Sequence, residues 1–193
     1  MTSIIIPYRD RVGHLNQLIP RLHGLADEIL VIEQGDDRAF NRAKLLNIGA
    51  LLTEATHLIF HDVDMVPIQV DYSPAPGVTQ LAKSNIQHTD YLGGVTMFHR
   101  NAFNTVGGYH NEYAHRAEDN EIRFNLYRLH IPVVNRFGKF DILPHPRSGM
   151  EFNPLLWERA QEVRERQDQL SQCYFKVVAR EKNDFYTKIT VNL

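Results

Sequence analysis

The feature that most constrains the fold is a short apolar run that ends in two acidic residues. Residues 58–60, Leu-Ile-Phe, are followed by His61, Asp62, Val63 and Asp64. Apolar runs of this length bounded by polar residues are typical of strands buried in a sheet. Ligands of open α/β sheets bind at the carboxyl ends of the strands. The pattern therefore favours a parallel sheet that presents both acids at a binding edge.

Two interpretations of this acidic pair are open at this point. Two carboxylates at a sheet edge can hold a divalent cation that bridges a diphosphate, as a nucleotide-sugar transferase requires. Alternatively, Asp62 and Asp64 are solvated acids in a turn, which is the ordinary role of a D-x-D tripeptide. The surrounding sequence has to decide between the two.

The segments before this strand alternate between strand and helix patterns. Residues 4–6, all isoleucine, predict a strand that ends at Pro7, and residues 29–32 predict a second strand. Apolar residues at helical spacing follow each strand: Leu15, Leu18, Ile19 and Leu22 after the first, and Leu45, Ile48 and Leu52 after the second. Such alternation predicts a mixed, mostly parallel α/β sheet covered by helices on both faces, with the loops after the strands on one edge.

The second half of the chain predicts three further elements. Residues 91–98 read as a strand interrupted by Gly93 and Gly94, and glycine inside a strand often marks a bulge or a close approach. An acidic start predicts a helix over residues 119–129. Residues 174–179 and 185–191 flank a polar turn and predict a small C-terminal hairpin.

The composition allows one folded domain over residues 1–193, because 43% of the residues are hydrophobic and can form a core. A formal charge of −2, from 21 basic and 23 acidic residues, provides no field to attract nucleic acid or an anionic membrane. The lone Cys173 cannot form an internal disulfide, and no apolar run reaches transmembrane length. We therefore expect a cytoplasmic protein without an integral membrane segment.

Six short segments, kept in order along the chain, resemble one known family. They are residues 4–11 (IIIPYRDR), 40–47 (FNRAKLLN), 62–64 (DVD), 91–95 (YLGGV), 118–122 (EDNEI) and 186–191 (YTKITV). These segments are similar to motifs of the catalytic domain of the beta-1,4-galactosyltransferases. The resemblance implies a GT-A fold and an inverting transfer of a hexose from a UDP-sugar to a saccharide hydroxyl in beta-1,4 linkage. A compact, anchorless chain would suit a cytoplasmic enzyme, such as a bacterial one, that builds a glycan or surface polysaccharide.

The resemblance also implies the chemical roles of three acids. An inverting displacement needs a base for the acceptor hydroxyl proton and a group that stabilises charge on the departing diphosphate. Asp119 matches the family's base. Asp64 matches its metal ligand, with Mn²⁺ or another divalent cation acting on the diphosphate oxygens. Asp62 is expected to contact the ribose or a water in the outer shell of the metal.

Further matches imply where the UDP-sugar lies. The expected donor-binding residues are Pro7, Tyr8, Arg9, Arg11, Phe40, Arg42, Asp62, Val63, Asp64, Tyr91 and Gly94. Arginine suits phosphate because its planar fork bonds two oxygens at once, although a solvated surface arginine is the alternative. Phe40 either stacks on uracil or forms a hydrophobic staple beside the expected helix N-cap, Asn41. Tyr91 matches a position where a tyrosine hydroxyl fits galactose and excludes an N-acetyl group; a partly buried strand tyrosine is the alternative.

The metal loop departs from the family pattern. His145 aligns with a metal-binding histidine of the family and is our second expected ligand, although a lone histidine is more often structural. Relatives offer a further ligand in this loop, whereas Ile142, Leu143 and Arg147 occupy the comparable places here. None of these three side chains coordinates a metal well.

The acceptor loop departs more sharply. Residues 114–117, Ala-His-Arg-Ala, replace the family's Trp-Gly-Trp-Gly-Gly and are one residue shorter. His115 is the candidate to stack on the acceptor sugar in place of the missing tryptophan. Glu118 and Asp119 are expected to bind the acceptor hydroxyls; for Glu118 the alternative is simple capping of the helix.

Two classes of function therefore compete. The first is a metal-dependent UDP-sugar transferase, and the second is a nucleotide-sugar or glycan binding module that has lost catalysis. The altered loops favour the module, whereas the retained Asp119 favours the enzyme. A D-x-D phosphohydrolase fits poorly because no threonine follows Asp64 at the usual spacing.

Overall fold

The computed structural model describes residues 1–82, 92–112, 118–144 and 168–193. The first half contains β1 (Thr2–Tyr8), α1 (Val12–Leu22), β2 (Glu28–Gln34), α2 (Arg42–Leu51), β3 (His57–His61), β4 (Met65–Gln69) and β5 (Val78–Gln80). The second half contains β6 (Val95–His99), α3 (Arg100–Val106), α4 (Glu118–Arg128), β7 (Val133–Asn135), β8 (Lys139–Ile142), β9 (Lys176–Lys182) and β10 (Thr187–Asn192). The strand and helix alternation predicted for residues 2–61 is confirmed.

Eight of these strands form one mixed sheet in the order β7-β5-β6-β3-β1-β2-β10-β9. Its centre is parallel, since β1 pairs in parallel with both β2 and β3, and β10 pairs in parallel with β2. Antiparallel pairs join β6 to β3 and β9 to β10. Strands β4 and β8 form a separate two-stranded antiparallel sheet.

Strand β1 is buried on both faces and lies between two apolar clusters. Ile5 packs in the cluster that contains the apolar residues of α2, whereas Ile4 and Ile6 pack in the cluster that contains those of α1. Successive side chains of a strand point to opposite faces, so an uninterrupted isoleucine run needs apolar cover on both sides. Helices α1 and α2 therefore cover opposite faces of the sheet, as predicted.

The structure corrects two predicted strand limits. Strand β1 does not end at Pro7 but continues to Tyr8; its pairing with β3 ends at Ile5, so Pro7 lies in a stretch paired on one side only, where a missing N–H is tolerated. Strand β6 begins at Val95, later than predicted, because Gly94 has a left-handed φ of +73°.

The short elements β4, β5, α3, β7 and β8 escaped prediction. Three of them, β5, β7 and β8, have only three or four residues, and β5 also follows a proline-rich stretch. Such short segments carry little periodic signal. The C-terminal hairpin, by contrast, is confirmed as β9 and β10. Asn183 fixes its turn, since the side-chain oxygen accepts hydrogen bonds from the backbone N–H groups of Phe185 and Tyr186, each at 2.9 Å.

Across the four described ranges, no helix combines the length and apolar character needed to cross a membrane.

Close packing of α2 on the sheet leads to a prediction about two glycines. A Cβ at Gly49 would overlap the side chain of Ile5 and lie 3.2 Å from Ile32 Cγ1. Gly49→Ala should therefore lower the free energy of unfolding by about 1–3 kcal/mol, despite the better helix propensity of alanine. Urea denaturation measures this change.

The matched control is Gly13→Ala in α1, where an added Cβ meets no atom within 4 Å. Alanine propensity should then raise stability by about 0.5–1 kcal/mol. Equal effects of the two substitutions would contradict the close helix–sheet contact at Gly49.

Candidate functional site

The predicted site residues gather at the edge where β1, β2 and β3 end. The parallel registers place Pro7 beside Ile32 and Ile5 beside Phe60, so the three following loops share one edge. Strand β6 runs antiparallel to β3 and pairs Val95 with His61, which brings the preceding Gly94 to the same edge. The backbone N–H of Asp62 donates to the Gly94 carbonyl at 2.9 Å.

A single arginine connects this edge to α4. Arg42, the first residue of α2, donates from Nε to Asp62 Oδ1 at 2.7 Å and from Nη1 to Asp119 Oδ1 at 2.9 Å. Its Nη1 also lies 3.5 Å from Glu118 Oε1. Asp62 lies 20 positions after Arg42 along the chain, and Asp119 lies 77 positions after it, directly behind Glu118. The fold thus joins the D-x-D turn to the predicted base.

This cluster is largely shielded from water. The side chains of Arg42, Glu118 and Asp119 are only 13%, 8% and 11% exposed, and that of Asp62 is 23% exposed. Three carboxyl groups therefore surround one guanidinium in a place where solvent screens charge poorly. If all three were ionised, the cluster would carry an uncompensated negative charge, which burial strongly disfavours.

The ionisation of the cluster follows from this imbalance. Burial raises the pKa of Asp119 to about 8; Arg42 opposes the rise, whereas the neighbouring Glu118 adds to it. Burial also raises the pKa of Glu118. For Arg42, burial works against the charge, but Asp119, Asp62 and Glu118 together raise the guanidinium pKa well above its ordinary value. These shifts keep the arginine charged and favour a proton on the acid pair of α4.

Glu118 is more than a solvent-exposed helix cap. It lies in the first turn of α4, where the helix dipole favours acids, but it is only 6% exposed as a residue. Its Oε2 atom is buried and has no hydrogen-bond partner in the described part of the chain. A carboxylate oxygen in this state is available to accept a bond from a ligand hydroxyl.

The residues predicted to bind the donor lie along the same edge with different exposure. Pro7 and Tyr8 are both buried, and only 6% of Tyr8 is exposed. Arg9 donates from Nη1 to the Arg38 carbonyl at 2.7 Å and places its Cζ 5.3 Å from the Phe40 ring centroid. Phe40 itself is half-buried against the core, beside the confirmed N-cap Asn41.

Two other donor candidates follow β1 and β3. Arg11 occupies the N-cap position of α1, and Val63 is partly buried against the apolar cluster on the α1 side.

The predicted metal ligand Asp64 follows β3 and is partly exposed. Its carbonyl oxygen accepts from the backbone N–H of Leu143 at 2.8 Å, so the end of β8 lies against the D-x-D turn. The described ranges contain no group of three or more His, Cys, Asp or Glu side chains able to hold a metal. The predictions for Tyr91, His115 and His145 lie outside the described residues.

Sequence reasoning missed two residues that support the cluster. Asn47, fully buried in α2, donates to the Tyr109 carbonyl at 2.7 Å and accepts from the Tyr109 N–H at 2.9 Å. The Tyr109 hydroxyl is also buried, and burial raises its pKa well above the ordinary value. The acids of the cluster add to this rise and Arg42 opposes it. A polar Asn47 within the apolar run of residues 45–48 was the available signal, because buried amides require partners.

Comparisons with known proteins show that the chain is similar in sequence to sugar transferases. Residues 1–73 match a family described as the N-terminal region of glycosyl transferase group 7. The chain is 34% identical over 98% of its length to beta-1,4-galactosyltransferase 4 of Homo sapiens, of which it covers 62%. It is 32% identical over 79% of its length to a beta-N-acetyl-D-glucosaminide beta-1,4-N-acetylglucosaminyl-transferase of Lymnaea stagnalis, of which it covers 36%. The chain thus spans less than two thirds of these relatives' own length.

Solved structures show the same fold. The catalytic domain of Drosophila beta1,4galactosyltransferase 7 in complex with xylobiose superposes with a TM-score of 0.88 at 21% identity, over 100% of this chain and 93% of that one. A complex of a mutant of the same enzyme with manganese, UDP-Gal and xylobiose gives a TM-score of 0.84 at 22% identity, with the same coverage. The predicted GT-A fold is confirmed.

The acid cluster leads to a prediction about pH. A carboxyl whose folded-state pKa is raised stabilises the protein most below the pKa of the unfolded chain, and that contribution is lost as the pH rises through the folded-state value. The free energy of unfolding of the wild type should therefore fall between about pH 4 and pH 8 by more than that of Asp119→Asn. The variant lacks the raised Asp119 carboxyl, and Arg42 then compensates only Asp62 and Glu118. The stability of the variant relative to wild type should rise by at least about 1 kcal/mol over this range.

Urea denaturation at several pH values measures this difference. Asp184→Asn, which changes an exposed acid in the hairpin turn, is the control and should show no comparable trend. A pH-independent difference between wild type and Asp119→Asn would contradict a shared proton in the cluster.

Proposed function

The chain belongs to the beta-1,4-galactosyltransferase family, and we propose that it is an inverting glycosyltransferase that moves a hexose from a UDP-sugar to a saccharide hydroxyl. The observation that carries this proposal is the ion-pair cluster around Arg42. The cluster connects Asp62, in the turn expected to hold the diphosphate, with Asp119, the expected base. Donor activation and proton removal are thus adjacent, as a one-step displacement requires.

Asp119 is the proposed base. In the reaction the acceptor oxygen forms a bond to the anomeric carbon, the bond from that carbon to the diphosphate oxygen breaks, and the acceptor proton moves to the carboxylate. A base works best when its pKa lies near the working pH, and burial raises the pKa of Asp119 into that range. Arg42 then supports the ionised form at 2.9 Å, and Glu118 accepts from an acceptor hydroxyl.

The residues at the D-x-D turn fit a divalent cation. Asp64 supplies a partly exposed carboxylate, which is a hard oxygen ligand of the kind that Mn²⁺ and Mg²⁺ accept. Asp62 is already compensated by Arg42, so it is better suited to ribose or to a metal-bound water. We propose Asp64 and His145 as ligands, since Leu143, two positions before this histidine, is bonded to Asp64. Such a cation, when bound, acts as a Lewis acid on the diphosphate.

The arginines of this edge suit the phosphates of the donor. Arg9 and Arg11 follow β1 and so lie at the edge where the strand loops meet, whereas the Arg42 guanidinium is already paired with Asp62, Glu118 and Asp119. Phe40, already covered on one side by Arg9, is the proposed partner of the uracil ring. Pro7, Tyr8, Val63 and Gly94 would form the less exposed wall of the same pocket.

The identity of the donor sugar is a finer proposal. Tyr91 favours galactose because its hydroxyl would crowd an N-acetyl group. The Lymnaea relative, however, is named for N-acetylglucosaminyl transfer. We therefore propose UDP-galactose as the donor, and UDP-N-acetylglucosamine is the alternative donor to be compared with it. His115 and Glu118 are the proposed contacts to the acceptor.

Ligand-dependent stability tests the donor site. A ligand that binds only the folded state raises the unfolding midpoint, and saturation at about 100 times Kd contributes about 2.7 kcal/mol. UDP with Mn²⁺ should raise the thermal midpoint of the wild type by several degrees. Asp64→Ala should lose the metal-dependent part of this rise, whereas the exposed-acid control Asp184→Ala should keep it. No rise in the wild type with any combination of metal and nucleotide would contradict the proposal.

Product formation tests catalysis separately. Asp119→Asn should keep the UDP–Mn²⁺ stabilisation but lose transfer by about 10²–10⁴-fold, because the acceptor proton has no base. UDP release is measured with UDP-galactose and UDP-N-acetylglucosamine, against acceptors ending in xylose or N-acetylglucosamine. A wild type that binds both UDP and Mn²⁺ but releases no UDP across this panel would support the binding module instead.

A further inference from the structure

His61, the last residue of β3, is a completely buried polar side chain next to the D-x-D turn. It is 0% exposed, and both of its ring nitrogens have partners. Nδ1 lies 2.9 Å from the Asp62 carbonyl oxygen, and Nε2 lies 2.9 Å from the Tyr72 hydroxyl. The ring stacks on Tyr72 at an interplanar angle of 14° and meets Phe140 of β8 edge-on at 6.2 Å.

The partners determine which nitrogen carries the proton. A carbonyl oxygen can only accept, so Nδ1 must carry a hydrogen and donate it to Asp62. Burial lowers the pKa of His61 to about 4, which leaves the ring neutral at physiological pH. Nε2 is then an acceptor, and the Tyr72 hydroxyl donates to it. The chain of hydrogen bonds runs from Tyr72 through His61 to the backbone of Asp62.

The hydrogen bonds from Tyr72 through His61 to Asp62 complete the backbone hydrogen bonding of the Asp62–Asp64 turn. The Asp62 N–H donates to Gly94, and the Asp62 carbonyl accepts from His61 and from the Met65 N–H at 3.2 Å. The Asp64 carbonyl accepts from Leu143. With its peptide groups fixed on both sides, the turn presents the Asp62 carboxylate to Arg42, and the backbone of Asp64 is held two residues further along.

We propose that His61 and Tyr72 are positioning residues that hold the Asp62–Asp64 turn in the orientation needed to bind a divalent cation with UDP. This inference rests on the proposed function. The partners that orient metal ligands commonly contribute 10–100-fold to metal affinity. His61 acts on the backbone between Asp62 and Asp64 rather than on the cation itself, so it touches neither metal nor substrate.

Two substitutions separate this role from simple packing. Asparagine places its amide nitrogen where histidine carries Nδ1, so His61→Asn can still donate to the Asp62 carbonyl. Glutamine places its amide where histidine carries Nε2, so His61→Gln can still accept from Tyr72 but loses the bond to Asp62. Both variants remove the same ring from the same buried position, and both should lose similar thermal stability.

The measurement is the Kd of Mn²⁺ at saturating UDP, obtained from the electron paramagnetic resonance signal of unbound Mn²⁺. We expect His61→Gln to weaken binding by about 10–100-fold. His61→Asn keeps the bond to Asp62 but loses the bond to Tyr72, so it should weaken binding only by about threefold to tenfold, as Tyr72→Phe does. Tyr72→Phe removes only the hydroxyl and should weaken binding by about threefold to tenfold, which keeps the test possible if a His61 variant does not fold.

Equal Mn²⁺ affinity in wild type and in His61→Gln, or in wild type and Tyr72→Phe, would overturn the inference. Equal weakening in His61→Asn and His61→Gln would also overturn it, because the loss would then follow packing rather than the Nδ1 bond. If the variants give either of these results while the wild type binds UDP and Mn²⁺, the inference about His61 fails but the proposed function stands. A wild type that binds neither would instead overturn the proposed function, and this inference with it.

Discussion

The shortage of positive charge around Arg42 is the constraint on which the site depends. One guanidinium compensates three carboxyl groups that the fold has largely removed from water. Removing one partner from such a buried group leaves uncompensated charge and typically costs several kcal/mol. The arrangement is therefore poor for stability by itself, and the raised pKa values of Glu118 and Asp119 reduce the imbalance by favouring a protonated carboxyl. Burial, with the neighbouring Glu118 and Asp62 adding to it, raises the pKa of Asp119 to about 8, a value suited to a base near neutral pH.

The sheet and α2 hold Arg42 where this charge balance is needed. Ile5 lies against α2 at Gly49, where the lack of a side chain lets helix and strand approach closely. Asn47, two residues before Gly49 in α2, bonds the backbone N–H and carbonyl of Tyr109 and so anchors the segment that leads toward α4. Because interiors are close-packed, a small shift of α2 would move the guanidinium relative to both acids it bridges. The packing of α2 on the sheet therefore also sets the charge balance of the site.

The two-stranded sheet gives the D-x-D turn a second support. Strand β8 brings Phe140 against the His61 ring and Leu143 against the Asp64 carbonyl, while Tyr72 follows β4. The turn therefore lies between the central sheet and this smaller layer. Rigid elements hold functional side chains more precisely than loops do, which matters where ligand oxygens must meet a cation at fixed distances. The GT-A framework supplies this geometry from both sides of the turn.

The sequence by itself determined the parallel core, the hairpin and the edge at which the acids lie. Periodic apolar runs encode strands and helices locally, and the isoleucine run of residues 4–6 required cover on both faces. Ordered motifs also selected Arg42, Asp62 and Asp119, three residues that the fold brings together. Only the tertiary structure decided that Arg42 bridges the two acids and that His61 bonds to Tyr72. Those contacts join residues distant in sequence, and burial and mutual charge, which no local pattern records, set their protonation.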